Sequence, residues 1–253
     1  MNTRHIALVT GGSRGLGHSA ALQLADRGFD LIVTYRQGVA EAQTLVTELQ
    51  ARGATAVALP LDLGDSSGFA AFAEAVREAL HAQWQRETFD CLLNNAGTGL
   101  HASFAETTEA QFDEMLRIHL KGTFFLTQAL LPLIADGGRI LNVSSGLARF
   151  AYPGKAAYAV MKGGVEVLTR YLALELGPRR ITVNTIAPGA IETDFGGGVV
   201  RDNAQLNALI AGQTALGRVG RPDDIGQVMA ALLSDGLGWV NGQRIEASGG
   251  IHL

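Results

Sequence analysis

Short apolar runs alternate with longer amphipathic segments along the whole chain, and this alternation limits the fold more than any other feature. Ile6-Ala7-Leu8-Val9, Leu31-Ile32-Val33-Thr34-Tyr35, Ala56-Val57-Ala58-Leu59 and Phe89-Asp90-Cys91-Leu92-Leu93 read as strands. So do Arg139-Ile140-Leu141-Asn142-Val143, Ile181-Thr182-Val183-Asn184-Thr185-Ile186 and a last run from Gln243 to Ala247. The segments between them have helical character: Arg14 to Arg27 stopped by Gly28, 39–52 ended by Gly53, and 66–84 capped by Asp65 or Ser66. Further helices are expected over 108–135, entered through Thr107-Thr108-Glu109, over 155–177, and from Pro222 to Leu233. Strands joined by helices at this spacing predict βαβ units, hence an α/β fold with a doubly wound parallel sheet of about seven strands and helices on both faces. Residues 190–220 lose the pattern and contain Gly196-Gly197-Gly198. A stretch that long is not an idle connection, so 190–214 is expected to form a lid over a pocket within a single domain, 1–253.

Composition narrows the function classes. Hydrophobic residues make up 47% of the 253 and charged residues 17%, which suits a large buried sheet. The net charge is −4 with no basic tail, which argues against a nucleic-acid partner. No signal peptide and no uninterrupted run of 18 apolar residues is present, so a cytoplasmic protein with no membrane partner is expected. Cys91 is the one cysteine and sits in an apolar run, where it reads as a small core residue. The remaining histidines, His119 apart, form no metal-ligand spacing, so no metal is expected.

Thr10-Gly11-Gly12-Ser13-Arg14-Gly15-Leu16-Gly17 follows the first strand and opens the first helix. Glycines there permit a tight turn and close approach of backbone to a pyrophosphate, while the helix N-terminus favours the anion. The chain is therefore expected to be Rossmann-type and to bind a dinucleotide. An acidic residue ending the second strand would take the ribose hydroxyl of NAD, but Tyr35-Arg36 stands there, and Arg14 lies in the turn. Two guanidiniums converging on one phosphate favour NADP(H). Arg36 as a merely solvated surface residue is the competing reading.

Tyr158 and Lys162 stand four apart on a helix, on one face. A free phenol titrates near 10 and a neighbouring cation favours its ionised form; a shift of about three units takes roughly 4 kcal/mol. Tyr-x-x-x-Lys is thus a way to make a proton-transfer group.

Taken together, these residues resemble the short-chain dehydrogenase/reductase family, in particular single-domain members similar to 3-oxoacyl-[acyl-carrier-protein] reductases. The resemblance covers essentially the whole chain. It rests on the ordered tracts Thr10 to Gly17, Asp62-Leu63, Asn94-Asn95-Ala96-Gly97, Ser144-Ser145 and Tyr158-x-x-x-Lys162. Pro188-Gly189-x-Ile191-x-Thr193, Asn241-Gly242-Gln243 and Ser248-Gly249-Gly250 complete the series. The resemblance implies cofactor contacts from Gly11, Ser13, Arg14, Gly15, Leu16, Gly17 and Arg36, with Asp62 and Leu63 at the adenine. It places Asn95, Ala96 and Gly97 on the ribose side, adds Pro188 and Gly189 to the cofactor contacts, and has Ile191 and Thr193 bracket the carboxamide. Tyr158 would protonate the carbonyl oxygen as hydride arrives, Lys162 would hold the nicotinamide ribose and lower the tyrosine pKa, and Ser145 would donate a hydrogen bond to the same oxygen. Ser144 is close enough to compete for that role. A homotetramer is implied by the resemblance alone.

One departure stands out. The family usually carries Asn in a setting like Ile118-x-Leu120-Lys121-Gly122, where this chain has His119. Histidine there either takes over water-mediated proton transfer or is a packing substitution. The reading is an NADP(H)-dependent carbonyl reductase acting on a small ketone or aldehyde, reversible toward a secondary alcohol. Phe104, Leu147, Phe150, Tyr152 and Phe195 are apolar candidates for the substrate pocket. Two alternatives stay open: an NAD-dependent alcohol or polyol dehydrogenase, and a non-catalytic cofactor-binding regulator.

Overall fold

The computed structural model describes residues 4–253. Seven strands form one sheet in the order β3-β2-β1-β4-β5-β6-β7, every neighbouring pair parallel. They are β1 (Ile6–Val9), β2 (Asp30–Tyr35), β3 (Ala56–Pro60), β4 (Phe89–Asn94), β5 (Ile134–Val143), β6 (Thr182–Pro188) and β7 (Arg244–Ala247). Helices α1 (Gly15–Asp26), α2 (Val39–Ala51), α3 (Phe69–Trp84), α4 (Glu109–Met115), α5 (Thr123–Leu130) and α6 (Ala156–Glu175) supply the crossovers. After β6 come the single turn α7 (Val199–Asp202), then α8 (Ala204–Gly212) and α9 (Pro222–Leu233).

The apolar runs explain the layers. Side chains alternate faces along a strand, so in β1 Ala7 and Val9 join the core under α1, α2 and α9, with Leu24, Leu45 and Met229. Ile6 and Leu8 join the opposite core, with Phe72, Val76, Leu126 and Val183 under α3, α5 and α6. Both faces are covered, which is why the strands are continuously hydrophobic. Strand order reverses between β1 and β4, and the crevice at that switch point is where such sheets take ligands.

Two expectations need correction. The continuous helix over 108–135 breaks into α4, a wider π-helical turn at Leu116–Gly122, and α5. It ends at Leu130 because Pro132 has no N–H to continue the ladder, and Ile134 already lies in sheet register opposite Phe89. The start is as expected: Thr108 accepts from the Gln111 amide and Gln111 returns the bond, a capping box. The patternless 190–220 stretch contains two short helices, and Asn203 caps the second by accepting from the Leu206 amide at 3.0 Å.

A buried polar ladder fixes α5 and α6 to the strands near their C-terminal ends. The Asn94 amide donates to Thr127 Oγ1 at 2.9 Å and to Asn142 Oδ1 at 2.8 Å. Asn142 in turn donates to Thr169 Oγ1 at 2.9 Å, and the Thr185 hydroxyl bonds Thr169 at 2.7 Å. Fully satisfied networks of this kind hold one packing arrangement. Here it sets the height of α6, and with it Tyr158 and Lys162, above the strand ends.

Candidate active site

The glycine turn lies at the ends of β1 and β4. Gly11 and Gly15 have φ of 65° and 59°, where a Cβ is unfavourable. A Cβ on Gly17 would sit 2.3 Å from the Gly11 carbonyl, and one on Gly11 would sit 2.9 Å from Ala96. Thr10 and Asn95 stitch the two strand ends together: the Thr10 hydroxyl accepts from the Asn95 and Ala96 amides at 2.9 and 3.0 Å, and the Asn95 side chain donates to the Thr10 carbonyl at 2.9 Å. Thr34 of β2 accepts from the Gly11 amide at 3.1 Å. Thr10, at the head of the glycine tract, shows no role of its own in the sequence, and Thr34 reads only as part of a strand, because a buried hydroxyl next to an apolar run looks like core.

Around the turn, Ser13 Oγ lies 3.6 Å from the Cβ position of Gly38, so the loop after β2 that carries Arg36 adjoins it. Arg14 and Arg36 are exposed. Neither joins any ion pair among the described residues. Asp62 is exposed, and its Oδ1 accepts from the Gly64 amide at 2.8 Å. Leu16 and Leu63 pack into the two cores. On the far side, Pro188 ends β6, Gly189 lies against Ser248, and Ile191 bridges Gly220. Thr193 comes within 3.7 Å of the Cβ position of Gly15, so the segment after β6 reaches back to the turn. These residues form a turn too tightly packed for a Cβ at Gly11 or Gly17, with two unspent guanidiniums beside it; the donor set fits a phosphorylated dinucleotide.

Tyr158 and Lys162 are both buried on α6, with Lys162 Nζ 5.5 Å from the phenol ring centroid. The ammonium donates to the Val143 carbonyl at 2.7 Å. Burial depresses Lys162 to about 8. For Tyr158 the sequence predicts a lowered pKa, but in the structure it is raised: burial outweighs everything else, and hydrogen bonding with Ser145 pulls only partly the other way. The lysine donates to a carbonyl, with its ammonium over the phenol ring. Ser145 begins a short turn at the end of β5, where its Oγ accepts from the Leu147 amide at 3.2 Å. Ser144 points away: its hydroxyl donates to Glu166 at 2.7 Å, which leaves Ser145 as the serine beside the phenol.

His119 sits in the π-helical turn with its ring edge-on to Tyr158, centroids 5.1 Å apart. Its Nε2 lies 2.8 Å from the Thr98 carbonyl and 3.4 Å from the Thr98 amide, and the shorter contact assigns the proton to Nε2. Burial first, and the Lys162 charge second, lower its pKa to about 3, so the imidazole is neutral. Among the described residues Nδ1 is buried without a partner, as is Thr98 Oγ1. A Cβ on Gly97 would meet the ring at 2.6 Å, so the histidine fills the space behind that glycine.

Of the apolar pocket candidates, Phe195 faces the site, its ring centroid 5.8 Å from that of Tyr158, and Leu147 packs in the same cluster. Phe150 stacks on His252 at 4.7 Å, while Phe104 is 88% exposed and Tyr152 42%. Cys91 is fully buried, with its thiol pushed up to about 12, and is inert core. Among the described residues no group of side chains could hold a metal ion, and no helix is long and apolar enough to cross a membrane.

Comparison with known proteins fits this geometry. A family model described as enoyl-(acyl carrier protein) reductase matches residues 11–252. Versicolorin reductase 1 of Dothistroma septosporum is 33% identical over 255 residues, spanning 97% of this chain and 95% of that protein. The promiscuous reductase LugOII, which catalyses keto-reduction at C1 during lugdunomycin biosynthesis, has a similar structure with a TM-score of 0.94, 34% identity and full coverage of both chains. The angucycline C-6 ketoreductase LanV, solved with bound NADP, has a TM-score of 0.93 and 34% identity over 98% of this chain and 96% of its own. The chain belongs to the short-chain dehydrogenase/reductase family of oxidoreductases.

Proposed function

We propose that the protein is an NADP(H)-dependent carbonyl reductase, with Tyr158 as general acid, Ser145 as hydrogen-bond donor to the carbonyl oxygen, and Lys162 as the cation that stabilises the phenolate. The observation that carries this reading is the gathering of those three groups at the end of β5, beside a glycine cradle flanked by Arg14 and Arg36. NADPH held by the glycine turn, Arg14 and Arg36 would supply the hydride for the carbonyl carbon, leaving the carbonyl π pair on oxygen. Tyr158 then completes the alcohol by giving that oxygen its proton. Burial suits this role, because a phenol pushed up in pKa still carries its proton at neutral pH. Ser145 donates to the oxygen as negative charge grows on it. Lys162, titrating near 8, is largely charged at pH 7 when the phenolate forms and is able to pass a proton onward. Arg14 and Arg36 hold the 2′-phosphate; Ile191 and Thr193 line the carboxamide side.

The substrate is a ketone on a largely apolar, ring-bearing molecule. Phe195 and Leu147 support this, as do the ketoreductases among the relatives. We read the chain as one domain in which 190–214 is the lid, working in the cytoplasm as a homo-oligomer. The test is NADPH against NADH consumption with a panel running from acetone to α-tetralone. Turnover of the cyclic aryl ketone with lower KM for NADPH is the expected result. A lower KM for NADH favours the alcohol or polyol dehydrogenase reading. Dinucleotide binding without turnover of any ketone favours a non-catalytic regulator.

A further inference from the structure

We propose that Glu166 and Arg244 are a positioning pair that holds Ser145 at its working place beside Tyr158. The inference rests on the carbonyl-reductase reading of the site. Glu166 lies four residues beyond Lys162 and eight beyond Tyr158, so one face of α6 carries phenol, ammonium and carboxylate in succession. The carboxylate does not face solvent. Its Oε1 accepts from the Ser144 hydroxyl at 2.7 Å and from Arg244 Nε at 2.7 Å.

Arg244 arrives from β7 and its fork reaches two further groups. One nitrogen donates to Glu246 at 2.9 Å, and the other to the Ser145 carbonyl at 3.3 Å. The position of that carbonyl explains the contact. Ser144 N makes the last rung of the β5–β6 ladder, to the Ile186 carbonyl at 2.8 Å. Beyond it the chain leaves the sheet, and the Ser145 carbonyl is left to the Ala148 amide at 3.1 Å and to Arg244. The guanidinium thus takes over where the sheet stops holding the chain. Arg149 extends the alternation of charges by pairing with Glu246 at 3.1 Å.

The Glu166 side chain is 15% exposed and that of Arg244 23%, so the pair is weakly screened and its geometry is narrowly set. Register does not require it: four residue pairs of the β6–β7 ladder already fix β7. What the pair adds is a grip on both serines from the helix that carries Tyr158 and Lys162. Losing it frees Ser145 from that helix, whereas the glycine turn at the ends of β1 and β4 is held by Thr10, Thr34 and Asn95 and by neither member of the pair.

The experiment is a double-mutant cycle read in kcat at saturating NADPH, with KM for NADPH and the thermal midpoint followed in parallel. Arg244→Lys keeps a positive charge between the two carboxylates but loses the fork; Glu166→Ala removes the anchor. Each is expected to lower kcat by about 10-fold or more, since misplacement on the scale of 1 Å costs up to about 100-fold. KM for NADPH should stay within about twofold, and in a Ser145→Ala background the same substitutions should change kcat by less than about twofold. Equal losses in both backgrounds, or Arg244→Lys at wild-type kcat, would overturn the pairing. Should Glu166→Ala fail to fold, Arg244→Lys and Glu166→Gln carry the cycle. Wild-type turnover by Ser145→Ala alone would instead bring down the reading of the site, and the pair with it.

Discussion

The two walls of the crevice are built in opposite ways. On the β1–β4 side the glycine turn has no slack: a Cβ on Gly17 would meet a carbonyl oxygen at 2.3 Å, and Thr10 and Asn95 exchange short bonds across the strand ends. On the β6 side, Gly196, Gly197 and Gly198 all take left-handed φ (65°, 80° and 76°), α8 buries no residue, and Phe195 is 46% exposed. The ties there are few and mostly at the surface: ion pairs from Arg201 to Asp194 and Asp202, and the Asn207 amide donating to Glu192 at 2.8 Å and to the Val200 carbonyl at 3.0 Å. A rigid wall suits a ligand that is the same in every turnover, and a loosely tied wall suits one that varies in shape. Tyr158 stands between them, fixed to the sheet by the Asn142–Thr169 ladder and roofed by Phe195.

Substitutions on either side should separate accordingly. The largest effect belongs to the group between the walls: Tyr158→Phe should lower kcat by about 100- to 10,000-fold, with NADPH affinity by fluorescence titration little changed. Next come the glycines. Gly17→Ala should cost about 1–3 kcal/mol of stability through overpacking, seen in denaturant melts, and raise the NADPH Kd by at least about 10-fold. Gly197→Ala, with nothing within 4 Å of its Cβ position but a φ of 80°, should cost only about 1–2 kcal/mol and leave NADPH affinity unchanged, moving the ketone KM instead. Equal effects of the two on the NADPH Kd would erase the distinction between the walls.

Arg14→Ala and Arg36→Ala should each raise the NADPH KM by roughly 10-fold, since a hydrogen bond to a charged group contributes about 1.5–3 kcal/mol. KM for NADH should not move, and an equal loss for both cofactors would detach these arginines from the 2′-phosphate. The effect that touches turnover least is in the pH dependence of stability. His119 titrates near 3 in the folded protein against 6.5 for the free side chain. Between those values the unfolded chain binds the extra proton, so stability rises with pH there and is lost as pH falls below 6.5. Wild type should therefore lose up to about 1.4 kcal/mol per pH unit more than His119→Asn in that window, measured by urea melts at pH 6.5, 5 and 4.

Much of the fold was legible because the strands are buried on both faces and so spell themselves as apolar runs, and because Gly28 and Gly53, with φ of 84° and 80°, stop α1 and α2 in plain sight. Pro132 was an available stop signal for α5 that the apolar run Leu130-Leu131-Pro132-Leu133-Ile134 concealed. The π-helical turn at His119 had no such signal, since i→i+5 winding is a response to packing rather than a propensity. In the site, ordered tracts at strand ends pointed to the cradle and to Tyr158 and Lys162. The direction of the Tyr158 shift was not legible: sequence shows the cation one turn away but not the burial that outweighs it. Arg244 was invisible for another reason, since it meets Glu166 across 78 positions of chain and only the sheet order brings β7 beside the helix.

The most direct measurement follows the hydride itself. Incubating the wild-type protein with NADPH deuterated at the transferable C4 position and α-tetralone, then weighing the alcohol by mass spectrometry, should give one deuterium on the former carbonyl carbon. Ketone reduced without deuterium at that carbon, or no reduction by a protein that has bound the cofactor, would contradict the assignment of this crevice as a carbonyl reductase site.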